Sequence, residues 1–154
     1  MKAKGSKFHQ GHFKPQFPDK YVGLKSEIVY RSSWELKMMM WCDMNPSVVK
    51  WNSEGMKIPY WSNADQKQRT YWIDFIIQYK TREGGTRTIL VEIKPEKEMN
   101  PPTRRGKKPD RYLQECYTWE VNKSKWQAAK AYAAKSGMEF VVMNEYDLGI
   151  KKRR

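Results

Sequence analysis

The sequence predicts an α/β domain in the order helix, three or four strands, helix, strand, with a mixed sheet covered by the helices. Three observations carry that expectation. Apolar residues recur at helical spacing after Ser32 and again between Tyr112 and Ser136. Two runs rich in β-branched and aromatic residues flank Glu83-Gly84-Gly85, and a short apolar run, Glu139 to Met143, follows the second helix. A chain of 154 residues supports one compact domain that buries about two thirds of its unfolded surface.

Residues 1–25 mix Lys, Gly, His, Phe and Pro without periodicity and read as a basic flexible arm. Residues 26–146 then form the folded domain, and 147–154 a basic tail ending in Lys151-Lys152-Arg153-Arg154. The first helix is announced by a capping box, Ser32 followed three residues on by Glu35; Trp34, Met38, Trp41 and Cys42 share its apolar face, and it stops between Asp43 and Pro46. Short β-prone pieces, Val48 to Ser53 and Met56 to Trp61, precede two stronger runs, Thr70 to Lys80 and Thr86 to Pro95, which read as a hairpin. Residues 96–111 hold Pro101, Pro102 and Pro109 with six Lys or Arg and almost nothing apolar, the composition of a solvated basic loop. The second helix, with a break expected near Asn122, places Trp119, Trp126, Ala129 and Ala133 on one face and ends at Gly137.

The 30 Lys and Arg against 17 Asp and Glu leave a net charge of +13, a field that attracts polyanions before any specific contact forms. Nucleic acid is the partner this implies. A membrane is not, because no apolar run approaches the roughly 20 residues that span a bilayer. The basic N-terminus has no apolar signal segment behind it, so a cytoplasmic location is expected. Cys42 and Cys116 fit neither a disulfide framework nor zinc-ligand spacing and read as buried thiols, while His9 and His12 lack the further ligands a zinc site needs.

Strict alternation over Thr70 to Lys80 points Trp72, Asp74, Ile76 and Gln78 one way and Tyr71, Ile73, Phe75 and Ile77 the other. In the partner run Leu90, Glu92 and Lys94 share a face. Asp74, Glu92 and Lys94 therefore interrupt apolar strands and meet across the hairpin if the faces agree. A purely structural alternative makes Glu92 and Lys94 exposed neighbours and Asp74 the partner of one of the many basic residues. Against it, strands with aliphatics on both faces are covered, where an unpaired charge costs several kcal/mol and survives mainly when paired or metal-bound. Two adjacent carboxylates suit Mg²⁺, with Mn²⁺ as a substitute, and a lysine beside them suits phosphodiester hydrolysis by stabilising phosphorane charge or orienting the attacking water.

Asp74, then Glu92-Ile93-Lys94 on the next strand, after a helix bearing Glu35, resembles the PD-(D/E)xK nuclease superfamily over most of residues 31–143. More narrowly, Tyr30-Arg31-Ser32-Ser33-Trp34-Glu35, Ile58-Pro59-Tyr60, Ile73-Asp74-Phe75, Val91-Glu92-Ile93-Lys94-Pro95 and Lys125-Trp126 resemble the head-completion nucleases of tailed myophages and, more distantly, TnsA-type transposon endonucleases. One departure is Ile73 where the superfamily pattern has proline before the aspartate. The resemblance implies a restriction-endonuclease-like core, with Glu35, Asp74, Glu92 and Lys94 catalytic. It also implies Asp74, Glu92, Glu35 and the backbone at Ile93 as metal ligands. Phage head and neck proteins become implied partners, and the infected-cell cytoplasm and the virion implied locations. Glu35 keeps a second use, as the third residue of the Ser-x-x-Glu box.

Candidate DNA contacts are Arg104, Arg105, Lys107 and Lys108 in the basic loop, which suit sequence-independent grip, and Lys123, Gln127 and Lys130 along one face of the last helix. A solvated helix face is the competing account of the second group. Two other functions remain open at this level: a transposon-type or junction-resolving endonuclease, and a non-catalytic basic head or connector protein that binds DNA. No subunit interface is visible that would mark a homo-oligomer.

Overall fold

The computed structural model describes residues 10–153. In chain order the elements are β1 (Gly11–His12), β2 (Val29–Tyr30), α1 (Ser33–Met44), β3 (Val48–Ser53), β4 (Lys57–Ser62), β5 (Lys67–Trp72), β6 (Phe75–Lys80), β7 (Thr86–Ile93), α2 (Pro109–Lys135) and β8 (Glu139–Met143). The central sheet has the order β3-β6-β7-β8. Its first two pairings are antiparallel and the last is parallel, reached by the crossover through α2. This is the mixed α/β architecture the sequence predicts.

Each helix covers one face. Met38, Met39 and Cys42 of α1 pack on Trp51, Phe75, Ile77 and Val91. Ala129 and Ala133 of α2 pack on Ile58, Tyr60, Tyr71, Ile73 and Leu90. Ser32 caps α1 as expected, its hydroxyl accepting from the Glu35 N–H at 3.1 Å. The hairpin between β6 and β7 also forms as expected, with Gly84 at a φ of 87°, a left-handed conformation that favours glycine.

The run Thr70 to Lys80 is not one strand. It divides at Ile73-Asp74: β5 pairs with β4 in a separate two-stranded ribbon, and β6 enters the central sheet. The facing chain bends at the same level, where Glu54 adopts a φ of 52° between β3 and β4. The bend reverses the alternation. Tyr71 and Ile73 lie under α2, whereas Phe75 and Ile77 lie under α1, so residues of one sequence parity serve opposite faces.

The stretch expected to be a flexible arm is built into the domain from residue 10 onward. β1 pairs with β2, and Tyr21 is buried edge-on against Trp51 with ring centroids 4.7 Å apart. The Lys20 ammonium donates to the carbonyls of Cys42, Asp43 and Asn45 at 3.0, 2.9 and 2.8 Å, satisfying acceptors that the end of α1 leaves open. Asp43 in turn accepts from the Gln16 and Phe17 N–H groups at 2.8 and 3.0 Å. Polar bonds of this kind leave no hydrophobic period in the sequence. His9 lies outside the described residues, as does the rest of the expected arm before residue 10.

The basic loop is shorter than 96–111, because α2 begins at Pro109 and runs through Asn122 without a break. Proline is accommodated in the first helical turn, where its missing N–H has no partner to lose. Glu115 fastens that turn to the loop through Lys107 and Arg111. Trp41 is 48% exposed, because Met39 takes the buried place beside Met38 and Cys42. Cys42 is buried as expected, but Cys116 is only partly so. In the tail, the Ile150 N–H donates to the Glu145 carbonyl at 2.8 Å and Arg153 lies over the Tyr146 ring.

Candidate active site

The break between β5 and β6 is what positions Asp74. Its carbonyl accepts from the Glu54 N–H at 3.1 Å, and the Ile73 N–H beside it donates to the Met56 carbonyl at 3.0 Å. A proline at 73 could not make that second bond, which gives the departure from the superfamily pattern a local use. Leaving the ladder turns the Asp74 side chain onto the neighbouring strand, where Oδ2 accepts from the Ile93 N–H at 2.8 Å. Burial, then the charge of Glu92, pushes the Asp74 carboxyl from its ordinary 3.8 up to about 7. The Ile93 N–H and Lys94 pull the other way, and Glu35 adds to the rise.

Glu92 is 5% exposed and sits on the α2 side of β7, the face of Leu90. One of its oxygens, Oε2, takes both the Tyr71 hydroxyl and the Trp126 indole N–H, each at 2.5 Å. Two donors on one oxygen hold the buried acid in place. They also leave Oε1 of Glu92, like Oδ1 of Asp74, without a hydrogen-bond donor among the described residues. Deep burial, the Glu92 charge and the bond to Glu92 drive the Tyr71 hydroxyl far above its ordinary range, so it stays a donor. Lys94 follows at the end of β7, its N–H bonded to the Met143 carbonyl of β8 at 2.9 Å, and Glu96 is pinned next by Glu145 at 2.8 Å.

Glu35 reaches the same region from the first turn of α1. Its carboxyl is raised by burial and by Glu54, against the Arg31 backbone and guanidinium and the Ser32 hydroxyl. It therefore does both things at once: its N–H completes the cap, and its carboxylate lies within electrostatic reach of Asp74. Glu92, Glu35 and Lys94 thus all act on the charge of Asp74, and the Ile93 N–H binds its carboxylate directly.

The expected DNA-contact residues divide. Arg104, Arg105 and Lys108 are exposed, as are Gln127 and Lys130 on α2. Lys107 is occupied by Glu115, and Lys123 by Glu120 at 2.8 Å and by the Trp119 ring. Tyr71 and Trp126 were missed as site residues. Strict alternation assigns Tyr71 to the face opposite Asp74, and helical spacing makes Trp126 a core residue. The legible signal was chemical: a buried carboxylate needs donors, and both side chains carry an apolar body with a polar tip.

The donor set suits a hard divalent cation. It offers oxygen only, from Asp74 at the break between β5 and β6 and from Glu92 on β7. Among the described residues no three His, Cys, Asp or Glu side chains are gathered closely enough to hold an ion by themselves. No helix among the described residues is long and apolar enough to cross a membrane.

Residues 45–145 match the family described as "TnsA-like endonuclease N terminal". The chain is also 38% identical over 143 residues to the head completion nuclease of Enterobacteria phage T4, a match covering 89% of this chain and 91% of that relative.

Proposed function

This chain belongs to the family of TnsA-like endonuclease N-terminal domains and is a phage nuclease; from that membership we propose that it is a Mg²⁺-dependent deoxyribonuclease that cuts or trims packaged double-stranded DNA during head completion, before the tail joins. Mn²⁺ serves as a substitute ion. The observation that carries the chemistry is the Asp74 carboxylate, turned from the break before β6 onto β7 beside Glu92 and bonded to the Ile93 N–H, with Lys94 next to them.

A bound divalent ion would supply the positive charge that relieves the repulsion of the two acids and polarises a phosphoryl oxygen. Asp74 and Glu92 would hold that ion, with Glu35 and the backbone carbonyl of Ile93 as the further candidate ligands. Tyr71 and Trp126 fix the orientation of Glu92 by donating to one of its oxygens. Lys94 stabilises the charge that builds on the scissile phosphate and orients the attacking water. Arg104, Arg105 and Lys108, joined by Gln127 and Lys130, grip the phosphate backbone without reading sequence. The protein works in the cytoplasm of the infected cell and in the head and neck of the virion, next to head and neck proteins.

The test is plasmid cleavage with and without Mg²⁺, comparing the wild type with Asp74→Ala and Lys94→Ala. Cutting that needs the metal and both side chains supports the proposal; a wild type that binds DNA but never cuts over a broad range of metal and salt overturns it. Closed circles and end-labelled linear DNA in the same assay separate internal nicking from end digestion. Glu35→Gln preserves the capping geometry while removing the charge, so a large loss of cleavage assigns Glu35 to the metal, and unchanged cleavage returns it to the cap.

A further inference from the structure

A cleft of about 580 Å³ lies between the loop after β7 and the first turns of α2, outside the four-residue acidic site. Pro101 and Pro102 line it from the loop, and Thr118, Trp119 and Asn122 from the helix, with Lys97 among its charged residues. Its size falls within the roughly 300–1,000 Å³ of small-molecule pockets, and its walls are mainly apolar. The loop is held over the helix by Glu115, which binds both Lys107 and Arg111.

Asn122 is the feature that asks for an explanation. It is only 3% exposed, and it lines the cleft. An amide in the wall of a mainly apolar cleft offers both donors and an acceptor to whatever enters it. Asn122 also stands one helical turn, about 6 Å, before Trp126, the residue that holds Glu92. Trp119 packs edge-on against Trp126, with ring centroids 6.1 Å apart, so the wall of the cleft is continuous with the acidic site.

We infer that this cleft accepts one unpaired nucleobase of the strand being cut, stacked on Trp119 and hydrogen-bonded to Asn122, so that the enzyme prefers DNA with an unpaired nucleotide next to the scissile linkage. The inference rests on the nuclease reading above. A flat apolar wall, an amide that both donates and accepts, and a nearby lysine match the face, the edge and the phosphate of a nucleotide. A base still stacked in a duplex cannot enter such a pocket, which is why the partner is unpaired. Nucleotides in a stacked strand are about 3.4 Å apart, so one helical turn corresponds to one or two nucleotides from the cut.

The experiment uses duplexes carrying a single unpaired 2-aminopurine, or an abasic residue, stepped along the strand, bound to the full chain in chelator so that nothing is cut. Fluorescence should be quenched at one or two adjacent positions only, and an abasic residue there should weaken binding by about tenfold. Asn122→Leu should reduce that positional preference. Trp119→Leu should abolish the quenching, which keeps the test independent of how Asn122→Leu folds. Equal affinity for abasic and intact DNA at every position, fluorescence that is never quenched, or a positional preference unchanged in Asn122→Leu would each overturn the inference. A protein that quenches at one position yet never cuts over a broad range of metal and salt keeps the pocket and sinks the nuclease reading; one that cuts matched duplex as readily, with no quenching, sinks the pocket alone.

Discussion

On the α1 side of the sheet, Met39, Trp51, Phe75 and Ile77 close a core of apolar side chains, and even the Trp51 indole N–H has no partner there. On the α2 side the same two central strands carry Glu92 into a layer with Tyr71, Trp126, Asn122 and Ser124, all polar at their tips and all partly or fully buried. The first face stabilises by excluding water. The second surrenders some of that stabilisation to hold a charge in a fixed place, and the bend at Asp74 is where the chain passes from one face to the other.

The comparison breaks most visibly if volume is removed from the first face. Phe75→Ala should destabilise the fold by about 3–5 kcal/mol in chemical denaturation, because a fully buried ring leaves a cavity that the sheet cannot close. Lys94→Ala should do the opposite, lowering DNA cleavage by about 10²–10³-fold while changing unfolding free energy by no more than about 0.5 kcal/mol. If Lys94→Ala unfolded the protein as badly as Phe75→Ala, the division between the faces would fail.

Tyr71→Phe sharpens the second face. Deleting one hydroxyl leaves Glu92 with the Trp126 N–H alone, and a lost hydrogen bond to a charged group should lower stability by about 1.5–3 kcal/mol in urea melts. A neutral result would mean that the carboxylate does not depend on that clamp.

The smallest effect is on the acid side of the pH scale, without metal. The Asp74 carboxyl is raised in the folded chain, so the native state binds its proton more tightly than the unfolded chain does. Its contribution is therefore complete below about 3.8 and is lost as pH rises through about 7. Metal-free wild type should lose stability over that window, and Asp74→Asn should flatten the slope when Tm is followed against pH.

Much of this was legible in the sequence, for reasons that differ by residue. The capping box at Ser32, the Gly84 turn and the strand Glu139–Met143 are local signals, set by requirements within a few residues. Asp74, Glu92 and Lys94 stood out because charges in covered strands are expensive. The split at Asp74 did not, since alternation continues through Ile73 in the sequence while the chain itself bends against Glu54 and Met56. Lys20 and Asp43 were illegible for a similar reason: their bonds join positions more than twenty residues apart and leave no period to read.

The central claim is that Asp74 and Glu92 share a divalent ion, and Tm measured with and without Mg²⁺ at pH 6 and pH 8 tests it without relying on cleavage. A ligand that binds only the folded state raises Tm, and this one must displace the Asp74 proton, so the Mg²⁺ increment should be larger at pH 8 than at pH 6 and absent in Asp74→Asn. No increment in the wild type at either pH, or an equal one in Asp74→Asn, would contradict the account.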